Sequence, residues 1–376
     1  MLRRIVVPFS CLLFAASGCS SLPGRSDVIQ VAGKTYETKL DSEIARYYAT
    51  GRGGTDASPE LDSMITDLER RFAARPPTRE ELATIAADFS PDFATLFFIR
   101  AILRDEPSAR RQEAFSRFIE AAEEIPATRD ISVIFVPGWF YKENGHETGS
   151  DFHRQLALFK RAGIDATLLE IGDNAAVEDN AALIAAALRK LPNDGRRRVV
   201  VSASKSGPEV AMALASLGDE ESAHIAAWVN IGGAVGGSPL ADDNGEGLKC
   251  SVVKGILFVK GYTMDGLLSM KTERRRAAMR SARLPSGVFV LNYVPAPMGA
   301  DVTKRGRDGY DHMKELGPND GLILLADAVV PGGATVFEPG LDHFLVTDDI
   351  DVRTAALVAL VDEATRDRTM PVVSKR

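Results

Sequence analysis

The residues best placed for covalent chemistry lie in Val199-Val200-Val201-Ser202-Ala203-Ser204-Lys205-Ser206-Gly207. Three β-branched residues read as a short buried strand. The alanine-rich segment from Glu209 to Leu217 reads as the helix that follows. A serine at the apex of a sharp strand-to-helix turn presents its hydroxyl beyond the strand end. The amide of the next residue, here Lys205, then faces the same space. Attack on a carbonyl needs both parts, an exposed hydroxyl and an N–H that stabilises the oxyanion. So tight a turn requires small neighbours two positions either side, and Ser202 and Ser206 stand there. A small-residue junction with Ser204 only capping the helix would have the same composition, so the rest of the chain must decide.

A serine hydroxyl needs a base, and the chain has five histidines: His146, His153, His224, His312 and His343. His224 begins a strand and His153 falls in a helix. His146 sits in a loop that could line a cleft, and His312 lies in a polar segment without a clear frame. His343 follows a late strand, in Glu338-Pro339-Gly340-Leu341-Asp342-His343-Phe344, and precedes the last helix. That last strand-to-helix loop resembles the place where α/β-hydrolases carry the catalytic histidine, which makes His343 the expected base. An acid must orient it, and Asp301, Asp308, Asp311, Asp320 and Asp342 are the candidates.

The elements that would position these groups alternate. Strands are expected at 131–136, 165–171, 198–202, 224–231, 288–294 and 334–337. Helices are expected at 150–162, with Ser150 as cap, at 176–191 and at 349–364. This rhythm implies an α/β fold with a mostly parallel sheet flanked by helices on both faces. Active sites of such sheets lie beyond the carboxyl ends of the strands, where every motif above sits. Residues 238–285 interrupt the alternation and read as a lid or cap insertion. Residues 41–128 read as an N-terminal helical region, with starts at Ser58-Pro59, the capping box Thr78-Arg79-Glu80-Glu81, Ser90-Pro91 and Pro107. It either packs on the core or roofs the cleft. The main domain is expected over 129–376.

Together these features resemble the α/β-hydrolase superfamily of lipase- and esterase-like serine hydrolases, over about residues 131–366. The resemblance implies that Ser204 is the nucleophile of the elbow, although the usual Gly-x-Ser-x-Gly has serines at both glycine positions here. It implies that Asp320 is the acid, because Asn319-Asp320-Gly321-Leu322 is similar to the Asn-Asp-Gly-Leu segment of bacterial lipases. It also implies a second oxyanion donor. Val136-Pro137-Gly138-Trp139-Phe140 is similar to the His-Gly-x segment of lipases and esterases, which makes the Trp139 amide the partner of the Lys205 amide. The Trp139 side chain could serve as a core aromatic or as a wall of an acyl pocket. The order Ser204, Asp320, His343 is that of α/β-hydrolases.

The N-terminus resembles a bacterial lipoprotein signal peptide over residues 1–18. Arg3 and Arg4 precede the apolar run Ile5–Ala16, which ends in Ala16-Ser17-Gly18-Cys19. Cys19 would carry the lipid, and residues 19–40 would be anchor and tether. Ser20, a non-aspartate after the cysteine, implies a cell-envelope location on the outer membrane, facing the periplasm. Cys250 then has no partner in the mature chain.

The expected activity is hydrolysis of a small-molecule or lipid acyl ester through an acyl-enzyme, with no cofactor. Other readings stay open. Ser202-x-x-Lys205 matches the nucleophile motif of penicillin-binding proteins, but Ser-Asp-Asn and Lys-Thr-Gly segments do not accompany it. A catalytically inactive hydrolase-fold scaffold or binding lipoprotein would tolerate the serines around Ser204. A formal charge of −7 and the lack of a basic patch with interleaved aromatics disfavour nucleic acid. The histidines lack His-Glu-x-x-His spacing, so no metal is expected. Gly232-Gly233-Ala234-Val235-Gly236-Gly237 lacks the lysine of a phosphate loop and reads as the mouth of the cleft.

Overall fold

The computed structural model describes residues 26–50, 58–121, 130–192 and 194–367. The expected signal peptide and the lipidation site Cys19 lie outside the described residues. Part of the stretch expected as tether is structured. Strands β1 (Asp27–Val31) and β2 (Lys34–Thr38) form an antiparallel hairpin. Its two-residue turn, Ala32-Gly33, has positive φ at both positions, the geometry that matches strand twist. Ile29 and Val31 bury one face. Lys34 Nζ donates to the Pro339 carbonyl at 2.7 Å, and Thr38 Oγ1 donates to Asp301 at 2.6 Å, fixing the hairpin to the main domain.

Helices α1 (Glu43–Thr50), α2 (Pro59–Arg71), α3 (Arg79–Asp88), α4 (Pro91–Ile102) and α5 (Glu106–Ala121) follow. Ser58, Thr78 and Ser90 are N-caps as their spacing predicts, with the full capping box at Thr78–Glu81. Nearly every residue of α4 is buried. This layer packs on the core and does not roof the cleft.

The main domain continues through β3 (Ile131–Val136), α6 (Tyr141–Thr148), α7 (His153–Ala162), β4 (Asp165–Leu168), α8 (Val177–Arg189), β5 (Arg197–Ala203), α9 (Ser206–Glu221) and β6 (Ile225–Ile231). Four helices are inserted next: α10 (Pro239–Asn244), α11 (Gly247–Val259), α12 (Asp265–Leu268) and α13 (Thr272–Ser281). The chain ends with β7 (Phe289–Ala296), α14 (Lys304–Met313), α15 (Leu325–Ala328), β8 (Ala334–Pro339) and α16 (Ile350–Thr365). The six strands pair in the order β4-β3-β5-β6-β7-β8, all parallel. Strand order reverses between β3 and β5, the switch point at which open parallel sheets bind ligands.

The Ser150 cap is a correction. Helix α7 begins at His153, with Phe152 before it at φ 54°, and Asp151 accepts the His153 amide at 3.1 Å. The Ser150 carbonyl instead accepts the Gly138 amide at 3.0 Å. The strand expected over 165–171 stops at Leu168.

Alternate residues of each strand face opposite layers. Helices α8 and α9 cover one face, where Val200, Trp228, Ile184 and Leu214 pack. Helices α7 and α16 cover the other, with Val199, Val201, Phe159 and Leu360. The free edge of β8 is capped by α5. Thr335 and Phe337 amides donate to Ser108 Oγ and Gln112 Oε1, and Gln112 Nε2 donates back to the Phe337 carbonyl. Unpaired strand groups are thereby satisfied. Among the described residues no helix is long and apolar enough to cross a membrane.

Candidate active site

Ser204 follows the last residue of β5 and has φ 56°, a left-handed conformation that costs a non-glycine residue about 1–2 kcal/mol. Surrounding bonds enforce it. The Ser204 amide donates to the Ile231 carbonyl at 3.0 Å, and its own carbonyl accepts the Gly207 and Ala234 amides, each at 3.0 Å. The strain aims Oγ away from the sheet.

The serines in place of the elbow glycines are absorbed by hydrogen bonds. Ser202 Oγ accepts from Trp228 Nε1 at 2.8 Å. Ser206 Oγ accepts the Ala203 amide at 2.9 Å and lies 2.9 Å from the Val136 and Ala203 carbonyls, to which its hydroxyl can donate. Ser206 thus ties the elbow to the end of β3. Gly207 remains obligatory, because a Cβ there would stand 2.8 Å from Gly233 Cα. Ser202, fully buried under Trp228, has no route to a substrate, which removes the penicillin-binding reading of Ser202-x-x-Lys205.

His343 Nε2 lies 2.9 Å from Ser204 Oγ, and His343 Nδ1 lies 2.7 Å from Asp320 Oδ2. With the carboxylate accepting, Nδ1 carries the proton and Nε2 is free to accept from the serine. Asp320 is fully buried. Its Oδ1 accepts the Leu322 and Ile323 amides at 2.9 and 2.8 Å, and its carbonyl accepts the His343 amide at 2.9 Å. The tight Asn-Asp-Gly turn therefore fixes the carboxylate and also the loop that carries the imidazole. Burial disfavours the imidazolium, but the charge and hydrogen bond of Asp320, with the charge of Asp342, outweigh it. The pKa of His343 is raised above the ordinary histidine value.

The expected oxyanion donors flank Ser204. β3 and β5 pair in register with Val136 beside Ser202, so the Pro137-Gly138-Trp139 loop leaves the sheet next to the elbow. A Cβ on Gly138 would stand 3.8 Å from Ser204 Cβ and 3.0 Å from Ser150 Cβ, so the loop passes close to the elbow and a side chain there would press on Ser150. Among the described residues neither the Lys205 nor the Trp139 amide has a backbone hydrogen-bond partner. Trp139 is held by its side chain. Nε1 donates to Asn174 Oδ1 at 2.8 Å, and Asn174 Nδ2 donates to the Thr263 carbonyl of the insertion at 2.8 Å. The Lys205 side chain turns away from the site. Its ammonium pairs with Glu209 in the interior, and Glu209 also accepts from Asn180 Nδ2 at 3.0 Å. Burial raises the pKa of Glu209 against the opposing pull of Lys205 and Asn180.

Of the remaining candidates, His146, His153 and Asp308 line the same cavity without joining the Ser204–His343–Asp320 chain, and the others fall elsewhere. His224 contacts the Leu188 carbonyl, and His312 pairs with Asp243. Asp301 serves the hairpin and Asp311 lies beside Lys314, whereas Asp342 accepts the Thr303 and Phe344 amides and so holds the His343 loop. Cys250 is a half-buried free thiol. His146 and His153 come together despite their spacing, with ring centroids 4.4 Å apart, and Asp151 Oδ1 sits 2.8 Å from His153 Nδ1. Glu209, Asn180 and Asn174 were not expected from sequence. The only signal, Lys205 and Glu209 four apart on a helix, reads as a solvated surface pair.

A cavity of about 700 Å³ opens at Ser204 and His343, and Trp139, Leu240, Leu267 and Met270 line its outer part. Residues of the insertion thus border the site. No residue before Ile131 does so among the described residues.

No protein-family model and no curated protein matches this chain. Solved structures align with it. The metagenomic carboxyl esterase MGS0156 is 24% identical, with a TM-score of 0.50, over 62% of this chain and 76% of that one. The chain has the α/β-hydrolase fold. Bacillus licheniformis lipase BlEst2 in its mature form is 21% identical, with a TM-score of 0.45, over 64% of this chain and 93% of its own. Phospholipase PlaB from Legionella pneumophila is 14% identical, with a TM-score of 0.47, over 64% and 63%. Within the hydrolase fold, the end of β5, the loop after β3 and the loop after β8 converge at the switch point. Ser204, Trp139 and His343 stand on these three segments.

Proposed function

We propose that this protein is a serine hydrolase that cleaves carboxylic esters through an acyl-enzyme, in the manner of a carboxylesterase or lipase. The observation that carries the reading is the continuous hydrogen-bonded chain Ser204 Oγ–His343 Nε2, His343 Nδ1–Asp320 Oδ2 on a serine of positive φ. Ester cleavage is also the activity named for the metagenomic esterase of similar fold.

Ser204 Oγ attacks the ester carbonyl while its proton passes to His343 Nε2. Asp320 holds the tautomer and stabilises the imidazolium. The oxyanion is received by the Lys205 and Trp139 amides. His343 returns the proton to the departing alkoxide, which leaves as the alcohol, with Ser204 acylated. Water, deprotonated by His343, then attacks the acyl carbon and releases the carboxylic acid and Ser204. No step calls for a cofactor. The same reading tethers the enzyme to the outer membrane, facing the periplasm, through a lipidated Cys19. The arginines and apolar run before Ala16-Ser17-Gly18-Cys19 support this, and loss of metabolic fatty-acid labelling in Cys19→Ser is the expected result.

The test is labelling of the full chain with a fluorophosphonate, followed by peptide mass spectrometry. A Ser204 adduct that disappears in His343→Ala is expected. A folded chain that takes no adduct and hydrolyses no ester would leave the non-catalytic scaffold as the better account.

A further inference from the structure

The cavity at Ser204 does not end beneath the inserted helices. A second lobe continues inward, between the sheet and the layer of α7 and α16. The sheet side is formed by Ile131, Val133 and Phe135 of β3 and by Val199 and Val201 of β5. These are alternate positions, so one face of the pleat lines the lobe. Leu357, Val358 and Val361 of α16 line the opposite wall. Leu357 and Val358 keep accessible surface although they sit mid-helix over the sheet. Arg353, which also borders the lobe, is ion-paired with Glu338 and Asp349.

Two independent rulers give the length. Arg197, the first residue of β5, bonds to Asp362 and Thr365, so the end of α16 lies at the amino ends of the strands. The lobe therefore runs the height of the sheet, from Ser204 down to Ile131 and Val361. Six residues of strand span roughly 17–20 Å, and the helical rise from Ile350 to Val361 is roughly 17 Å. A saturated chain advances about 1.3 Å per methylene, the projection of a zigzag of single bonds close to 1.5 Å long. The length corresponds to roughly twelve to sixteen carbons.

Protein interiors are packed to crystal density, and voids larger than a water are few. The lining is apolar along β3, β5 and the last turns of α16, with His153, Arg154 and Gln155 of α7 and Thr354 of α16 also on the wall, and a long, mainly apolar space continuous with Ser204 matches a straight aliphatic chain. We propose that the lobe between the sheet and α7/α16 is the acyl-chain site, and that the substrate is an ester of a long straight-chain fatty acid. The inference rests on Ser204 as nucleophile, because it seats the chain that remains on Ser204 once the alcohol has left.

The experiment uses p-nitrophenyl esters from C4 to C16 with the wild-type chain, Val358→Trp in the lobe, and Leu267→Trp in the outer part. Wild-type kcat/KM should rise with chain length by up to ~4-fold per methylene until the lobe is filled. Val358→Trp should lower the C14-to-C4 ratio of kcat/KM by about tenfold or more. Leu267→Trp should leave that ratio close to wild type. A ratio lowered by Leu267→Trp and untouched by Val358→Trp would overturn the proposal. A second arm is independent of turnover. Ser204→Ala should bind a fluorescent C16 fatty acid, displaced by palmitate, and should lose that binding when Val358→Trp is added. No binding by folded Ser204→Ala also overturns the acyl site. Loss of hydrolysis for every ester, with fatty acid still bound through the lobe, would instead indict the Ser204 mechanism.

Discussion

The two faces of the parallel sheet are filled differently. On the α8/α9 face Val200, Trp228, Ile184 and Leu214 have zero exposure, and polar groups join the packing. Trp228 holds Ser202, while Lys205, Glu209 and Asn180 form a buried chain behind the elbow. On the α7/α16 face Leu360 and Val336 are as deeply buried, but Val199 and Val201 border the cavity, and Leu357 and Val358 keep accessible surface along it. One face is a wall and the other is a container. Ser204 stands where they meet, its backbone fixed by the first and its hydroxyl opening on the second. A strained residue persists only where its surroundings over-determine it, and the bonds of Ser204 to Ile231, Gly207 and Ala234 sustain its φ of 56°.

The largest effect belongs to the meeting point. Ser204→Ala should lower kcat by about 10⁴-fold or more while melting within a few degrees of wild type. Undiminished turnover would remove the serine mechanism. The next effect tests the closed face. Glu209→Leu leaves the Lys205 ammonium buried without its partner and should destabilise by about 3–5 kcal/mol in denaturant unfolding. The double variant Lys205→Met/Glu209→Leu should recover most of that loss, since it removes both charges and keeps the Lys205-position amide. A double variant no more stable than Glu209→Leu would show that the ion pair is needed in its own right.

A smaller effect compares the faces directly. Leu214→Ala on the closed face should cost about 3–5 kcal/mol, because the fully buried side chain leaves a void. Leu357→Ala borders space already open and should cost no more than about 2 kcal/mol. Equal losses would mean that the α7/α16 face is packed as tightly as the other.

Much of this arrangement was legible in the chain. The parallel strands came from β-branched runs, and their ends brought Ser204, Asp320 and His343 together in the order expected. Local chemistry also gave the N-caps Ser58, Thr78 and Ser90. What escaped depended on burial that spacing does not encode. Lys205 and Glu209 have the pattern of an exposed pair and are instead fully enclosed. The hairpin at 27–38 turns on Ala32-Gly33, a weaker turn signal than Asn-Gly or Asp-Gly. The inner lobe is the gap between two amphipathic layers, and strand and helix patterns read the same whether such layers touch or stand apart. Ser202 and Ser206 looked like departures that weakened the elbow. Their hydroxyls found partners on Trp228 and across Ala203 and Val136, so the substitution for glycine strengthens the closed side.

The smallest expected effect concerns the pH profile of the meeting point. His343 accepts the serine proton only when neutral, so kcat/KM should climb about tenfold per pH unit below its pKa and level off above it. Burial opposes the raised pKa, and Asp320 and then Asp342 sustain it, so the midpoint should lie above the reference value of 6.5. Asp320→Asn would remove the orienting hydrogen bond together with the charge, and its effect on rate would mask the shift. Asp342→Asn is the cleaner probe. It deletes one remote charge and keeps an oxygen for the Thr303 amide, which Asp342 accepts at 2.8 Å. The midpoint should fall by a fraction of a unit, with the plateau rate reduced only slightly. An unchanged midpoint with a depressed plateau would make Asp342 an anchor for the His343 loop, leaving the hydrogen-bonded Asp320 carboxylate alone to raise the pKa of the imidazole.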